Sequence, residues 1–92
     1  MTPANYNTMD QMERRRVREQ YAKDQDGLCH HCHAPLTGSP PTKVTSLSVT
    51  ATRFPPNFFK HPVHLHHDHK TGMTIGAVHS YCNAVLWQYH GE

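Results

Sequence analysis

The sequence predicts a small single-domain α+β fold: a helix, a Cys/His-rich loop, a β-hairpin and a closing helix. Three observations carry this. Its 92 residues suffice for one domain and bury only a modest core. The pattern then changes along the chain, from helix formers without Gly or Pro at 9–23 to short β-branched runs and an apolar close. Finally, two short Cys/His spacings, Cys29-His30-His31-Cys32 and His79-Ser80-Tyr81-Cys82, bracket the hairpin. With only 36% hydrophobic residues, part of the stability must come from something other than packing.

Residues 1–8 read as a frayed lead-in. In the first helix Asp10 serves as N-cap with Glu13 three residues on. Its apolar stripe (Met9, Met12, Val17, Tyr21) is thin, so the helix packs lightly and exposes its arginines. Asp26-Gly27 ends it. Residues 28–36 hold the first Cys pair in a tight loop, and 37–42 form a Pro/Gly/Thr-rich loop. Residues 44–52 alternate apolar and polar side chains and predict a strand. Residues 54–62 carry three prolines and predict irregular chain, with Phe54, Phe58 and Phe59 available to the core. A strand at 63–67, a turn at Lys70-Thr71-Gly72 and a returning strand at 73–78 make the hairpin. Residues 82–89 predict a helix with Ala84, Val85, Leu86 and Trp87 as its buried face; Tyr81 also reads as core. The chain divides into a helical segment, 1–27, and a metal-clamped module, 28–92. There is no internal repeat.

The formal charge of +2 does not by itself argue for nucleic acid. Its distribution says more: Arg14, Arg15, Arg16 and Arg18 crowd one stretch, either a phosphate-binding face or a solvated one. Ten histidines in a short chain point to metal, because neutral imidazole is the commonest metal ligand and the natural acid–base group near neutrality. Three cysteines cannot all pair, and a CxxC in an odd set argues against a secreted disulfide framework. With no signal-type apolar run and no bilayer-length segment, the expected protein is soluble and cytoplasmic.

Zinc is commonly held by four Cys/His ligands offered as two short knuckles. Cys29 and Cys32 form one, and His79 and Cys82 the other. A single structural zinc then ties the start of the module to its last helix. His30, His31 or His33 can equally take the place of His79, and the plain alternative is a buried free Cys pair beside a chance His.

The remaining histidines form an ordered cluster, His64-Leu65-His66-His67-Asp68-His69, followed by Lys70-Thr71-Gly72 and later by Cys82-Asn83. Residues 28–87 resemble the HNH (ββα-metal, His-Me finger) endonuclease superfamily. The likeness is to the recombination endonuclease VII-like branch, whose L-D-H-D-H-x-x-G hairpin motif is matched here by L-H-H-D-H-K-T-G. The resemblance implies a DNA-cutting nuclease with His67 as general base. It places His66 and Asn83 as ligands of a catalytic divalent ion and His69 at the scissile phosphate. Asp68 is left to orient an imidazole. Arg14, Arg15, Arg16, Arg18 and Lys70 are the expected DNA contacts. A monomer with one such constellation is expected to nick, and a bacterial or phage source fits.

The chemistry is coherent without the family. Phosphodiester hydrolysis needs an activated water and a positive charge beside the phosphate and the departing oxygen. Three departures from the family pattern matter. His66 replaces an Asp, which shifts ion preference from Mg²⁺ toward Mn²⁺, Co²⁺, Ni²⁺ or Zn²⁺. His79 replaces a Cys. No Asn stands between Gly72 and Gly76, so something else must hold that loop. In an ideal strand His66 and His67 also point to opposite faces, so the strand must bend or end there. His61, His64 and His90 read as surface residues as readily as site residues. The alternatives to a nuclease are a catalytically inactive zinc-knuckle DNA-binding module and a metal-buffering loop.

Overall fold

A computed structural model describes residues 4–91. Asp10 caps the first helix, α1 (Gln11–Asp24), its carboxylate accepting from the Glu13 N–H at 2.8 Å. No residue of α1 is buried; Tyr21 and Ala22 pack half-buried on the core. Asp26 and Gly27, at φ 58° and 74°, turn the chain out of the helix. Residues 28–36 then loop back on themselves, with the Leu36 N–H bonded to the Gly27 carbonyl at 2.8 Å.

The strand expected at 44–52 is absent. Instead Pro41 begins a single turn, α2 (Thr42–Thr45), followed by irregular chain and a 3-10 turn at Ala51–Arg53. The alternating pattern there finds no neighbouring strand to pair with. Val44 is buried in the core and Val49 packs against it, so these two act as separate plugs. The Phe54–Pro62 stretch is irregular as expected, with a 3-10 turn at Phe58–Lys60. Its phenylalanines, however, pack on one another and on Trp87 outside the buried core.

β1 (Val63–His67) and β2 (Thr74–His79) pair antiparallel. The register runs from Val63 opposite His79 to His66 opposite Gly76, then slips so that His67 faces Thr74. Ile75 is thus an extra residue, a bulge that bends the hairpin between His66 and His67. The bend demanded by the two adjacent histidines therefore falls at that step.

α3 (Ser80–His90) follows directly and buries Cys82, Ala84, Val85 and Leu86. Trp87, expected on that face, is 41% exposed. The core comprises Cys29, Leu36, Val44, Ala77, Val78, Cys82 and Val85. Its fully buried members are two valines and two cysteines among the larger side chains, so apolar burial at about 1.5–3 kcal/mol per large side chain supplies little. Nothing among the described residues forms a helix long and apolar enough to cross a membrane.

Residues 4–8, read as frayed, are docked; residues 1–3 of that lead-in lie outside the described residues. The Thr74 N–H donates to the Ala4 carbonyl at 2.8 Å and the Tyr6 N–H to the Gly72 carbonyl at 2.7 Å. This answers what holds the hairpin loop. Asn5 and Asn7 crowd Gly72, where a Cβ would lie 2.6 Å from Asn5 Oδ1 and 2.5 Å from Asn7 Nδ2. Gly72 also sits at φ 77°, so only glycine suits it. Asp68 turns out to close the turn and not to orient an imidazole: its Oδ1 accepts from the Lys70 and Thr71 N–H groups at 2.7 and 3.2 Å. Those bonds hold its carboxyl below the usual range.

At the other end of β2, the Gln25 side chain reads Ala77 as a strand would. Its Oε1 accepts the Ala77 N–H at 2.9 Å and its Nε2 donates to the Ala77 carbonyl at 2.9 Å. Gly76 makes room for this clasp, because a Cβ there would lie 2.8 Å from Gln25 Oε1 and 2.9 Å from the His30 ring.

Candidate functional site

Cys29, Cys32, His79 and Cys82 each place one ligand atom in a group whose members all lie within 4.8 Å of one another. The first two come from the loop after α1. There the Cys29 N–H bonds the Ala34 carbonyl at 2.8 Å, and the His33 N–H bonds the Cys29 carbonyl at 2.9 Å. The second two come from the last residue of β2 and the first turn of α3. The hairpin thus lies between the two halves of one cluster.

His79 Nδ1 lies 3.4 Å from Cys32 Sγ and 3.7 Å from Cys82 Sγ. Tetrahedral zinc, bonded at about 2.3 Å to sulfur and about 2.05 Å to nitrogen, sets an S···N edge of about 3.6 Å. His79 Nε2 lies 2.9 Å from the Pro35 carbonyl. The Nε2–H therefore donates there, and the Nδ1 lone pair is left to face the sulfurs. His79 is the fourth member of the cluster; His30, His31 and His33 are not part of it.

Ionisation within the cluster points the same way. The Cys82 thiol bonded to Cys29 lowers Cys29 to about 3. The same bond, with burial, pushes Cys82 far up, and burial raises Cys32. Three sulfurs in one place cannot all ionise without a cation among them. The group can hold a metal ion such as zinc.

A second concentration of chemistry lines an open cleft of about 940 Å³ between α1, β1, the Phe54–Phe58 segment and α3. Arg14, Arg15 and Arg18 line it together with His67, His69 and Asn83. Arg16 and Lys70 are exposed and do not line it. His66 is 2% exposed and opens instead on a recess of about 220 Å³ shared with His30, His31, Ile75 and Leu86.

Asn83 connects the two sides. Its Oδ1 lies 3.2 Å from His66 Nδ1, and its Nδ2 donates to His64 Nδ1 at 3.1 Å. His64 lines the cleft, a place the sequence left open. Its two-residue spacing from His66 sets both on one face of the strand, from which both reach Asn83. His90 is exposed; its ring lies 6.4 Å from that of His31. His61 lines the cleft rim and is exposed.

His67 is half-buried against the Tyr6 ring, 3.9 Å between centroids and 6° from parallel. The His69 ring lies 4.8 Å away. Burial above all, then the neighbouring charge of His69, and further those of His66 and Arg14, holds the His67 pKa below its ordinary value of 6.5. Burial likewise lowers His64, with the charges of His61 and Arg18 adding to it. Both imidazoles are therefore neutral at pH 7. Tyr6 was invisible in the sequence because its partner lies some 60 residues further along the chain.

No family model, curated protein or solved structure matches the chain.

Proposed function

We propose that the chain is a metal-dependent endonuclease of the HNH (ββα-metal) type that hydrolyses DNA phosphodiester bonds one strand at a time, with a structural zinc on Cys29, Cys32, His79 and Cys82. The observation that carries this reading is the shared cleft: the arginines of α1 face the same space as His67, His69 and Asn83. A phosphate held by Arg14, Arg15 and Arg18 is thereby brought to a neutral imidazole.

His67 takes a proton from water as the water oxygen bonds to phosphorus and the bond to the 3′ oxygen breaks. His69 stands beside it to hold the phosphate or return a proton to the leaving oxygen. Tyr6 fixes the plane of the His67 ring.

His66 Nδ1 and Asn83 Oδ1 are the donors proposed for the catalytic ion. Adjacent ligands of an octahedral ion with bonds of about 2.1 Å lie about 3.0 Å apart, and the observed separation of 3.2 Å fits such a pair. A mixed nitrogen and oxygen set suits Mn²⁺, with Mg²⁺, Co²⁺, Ni²⁺ or Zn²⁺ as alternatives. When bound, the ion supplies positive charge to the phosphate and departing oxygen.

One observation favours a second reading, a zinc-knuckle module that binds DNA without cutting it. His66 opens on the rear recess and not on the cleft. Supercoiled plasmid incubated with the protein and a panel of divalent ions separates the two. The nuclease converts it to open circle before linear product appears, and His67→Ala loses about 10²–10⁴-fold. Plasmid that is bound but left intact with every ion establishes the inactive module. Linear product from the outset means two coordinated sites, as in a dimer.

A further inference from the structure

The cleft has an aromatic end that hydrolysis as described does not use. Trp87, the sole tryptophan, is 41% exposed and lines the cleft with Phe54 and Phe58. Phe54 meets Trp87 edge-on at 5.4 Å and packs tilted against Phe58 at 4.7 Å. Phe58 in turn meets His64 edge-on at 4.5 Å, and His64 is bonded to Asn83. A continuous aromatic surface thus runs from α3 to the residues proposed to act on the phosphate.

The opposite wall is cationic. Among the described residues that line the cleft, Arg14, Arg15 and Arg18 are countered only by Glu19, which is itself paired with Arg15 at 3.0 Å. A basic groove beside exposed aromatic rings is the combination that grips unpaired nucleotides: cations track the phosphates while bases stack on the rings. In a duplex each base face is covered by its neighbour, so such a ring gains nothing from it.

We propose that the cleft takes single-stranded or locally unpaired DNA, with an unstacked base lying on Trp87, whose ring Phe54 buttresses edge-on, and its phosphate on the arginines. This deepens the nuclease reading and rests on it for the consequence that cutting is directed to unpaired sites. It does not rest on it for binding. The shelf holds any base, so strand state, not sequence, decides where the protein settles.

Trp87 reports on its own occupancy. The His67→Ala protein, zinc-loaded and without added catalytic ion, is titrated with oligothymidylate, with the same oligonucleotide bearing abasic sites, with a duplex of equal length, and with oligouridylate. The expected result is quenching of Trp87 emission by oligothymidylate and little by the abasic strand or the duplex, with single-strand affinity at least tenfold above duplex. Trp87→Ala then loses about 5- to 150-fold in single-strand affinity, the equivalent of one lost stack, while duplex affinity stays unchanged.

Binding of oligothymidylate at saturation without quenching overturns the proposal, as does equal affinity for intact and abasic strands. Tighter binding of oligouridylate overturns the choice of DNA. Should Trp87→Ala fail to fold, the intact-versus-abasic comparison still decides, since it needs no change at position 87. Quenching without cleavage by the wild-type protein removes the nuclease reading and leaves the shelf; cleavage without quenching does the reverse.

Discussion

Tyr6 lies face to face on His67, 3.9 Å between ring centroids, and the Arg14 guanidinium sits 3.8 Å above the same Tyr6 ring. Two groups at that distance cannot share one face, so Tyr6 is the middle of a three-layer stack. Arg14 also donates from Nε to the Tyr6 carbonyl at 3.1 Å. The stack ties the start of the chain to the proposed general base.

Removing Tyr6 should move the titration of His67. Burial is the main cause of its lowered pKa, so Tyr6→Ala should raise that pKa toward the ordinary 6.5, whereas Tyr6→Phe should leave it in place. The base works only as neutral imidazole. In the wild type, cleavage should therefore climb below about pH 6.5 and be level by neutrality; in Tyr6→Ala the climb should shift to higher pH. Proton NMR of the ring and a pH–rate profile read the two together. An unmoved titration in a folded Tyr6→Ala protein would show that the stack does not govern the base.

Metal analysis should find about one tightly held zinc per chain, as four-ligand closed sites imply. Site formation of this kind is worth about 10–16 kcal/mol, comparable to or above the whole stability of a small domain, about 5–15 kcal/mol. Cys32→Ala, or stripping by a strong chelator, should therefore unfold the protein, as followed by circular dichroism. A well-folded, zinc-free Cys32→Ala protein would refute a structural role for the cluster.

His66→Asp should restore activity with Mg²⁺ relative to Mn²⁺, because a carboxylate oxygen suits the harder ion. Asn83→Ala should abolish cleavage and leave the zinc content unchanged. Loss of activity with every ion in His66→Asp would remove position 66 from the ligand set.

The arginines should separate by position. Arg14→Gln and Arg18→Gln should each lower the salt slope of binding by about 0.7 on single strands or about 0.9 on duplex DNA per lost phosphate contact. Arg16→Gln, away from the cleft, should not. Arg15→Gln should fall between, since Glu19 already occupies its guanidinium. Equal effects at all four positions would return α1 to a diffuse basic face.

The sequence made α1, the hairpin and α3 legible because their signals are local. Asp10 and Glu13 mark a helix start, Gly72 marks a turn, and period-two alternation marks β1. The Cys29, Cys32, His79 and Cys82 grouping was legible for the same reason, as two short spacings. Residues 44–52 misled because alternation describes a strand only when a partner is available, and Pro41 starts a helical turn instead. The Tyr6 stack, the Asn5 and Asn7 contacts with Gly72 and the Gln25 clasp join residues some fifty to seventy positions apart, which local pattern does not encode. Trp87 was read as core from its neighbours Val85 and Leu86, yet one residue further round the helix faces the cleft.

The Gln25 clasp has a consequence for self-association. A two-stranded ribbon offers two rows of backbone groups to any passing chain, a template for sheet growth between molecules. On the outer side of β2 the backbone groups of Thr74 and Ala77 are taken. Ala4 and Tyr21 engage Thr74, and Gln25 and His30 engage Ala77. A second molecule cannot add a strand on this side without first displacing an amide that already imitates one. Changing Gln25 to an apolar residue would free the Ala77 N–H and leave Ala4, Tyr21 and His30 to guard the rest of the row, and concentrated protein would then be more exposed to fibrillar pairing.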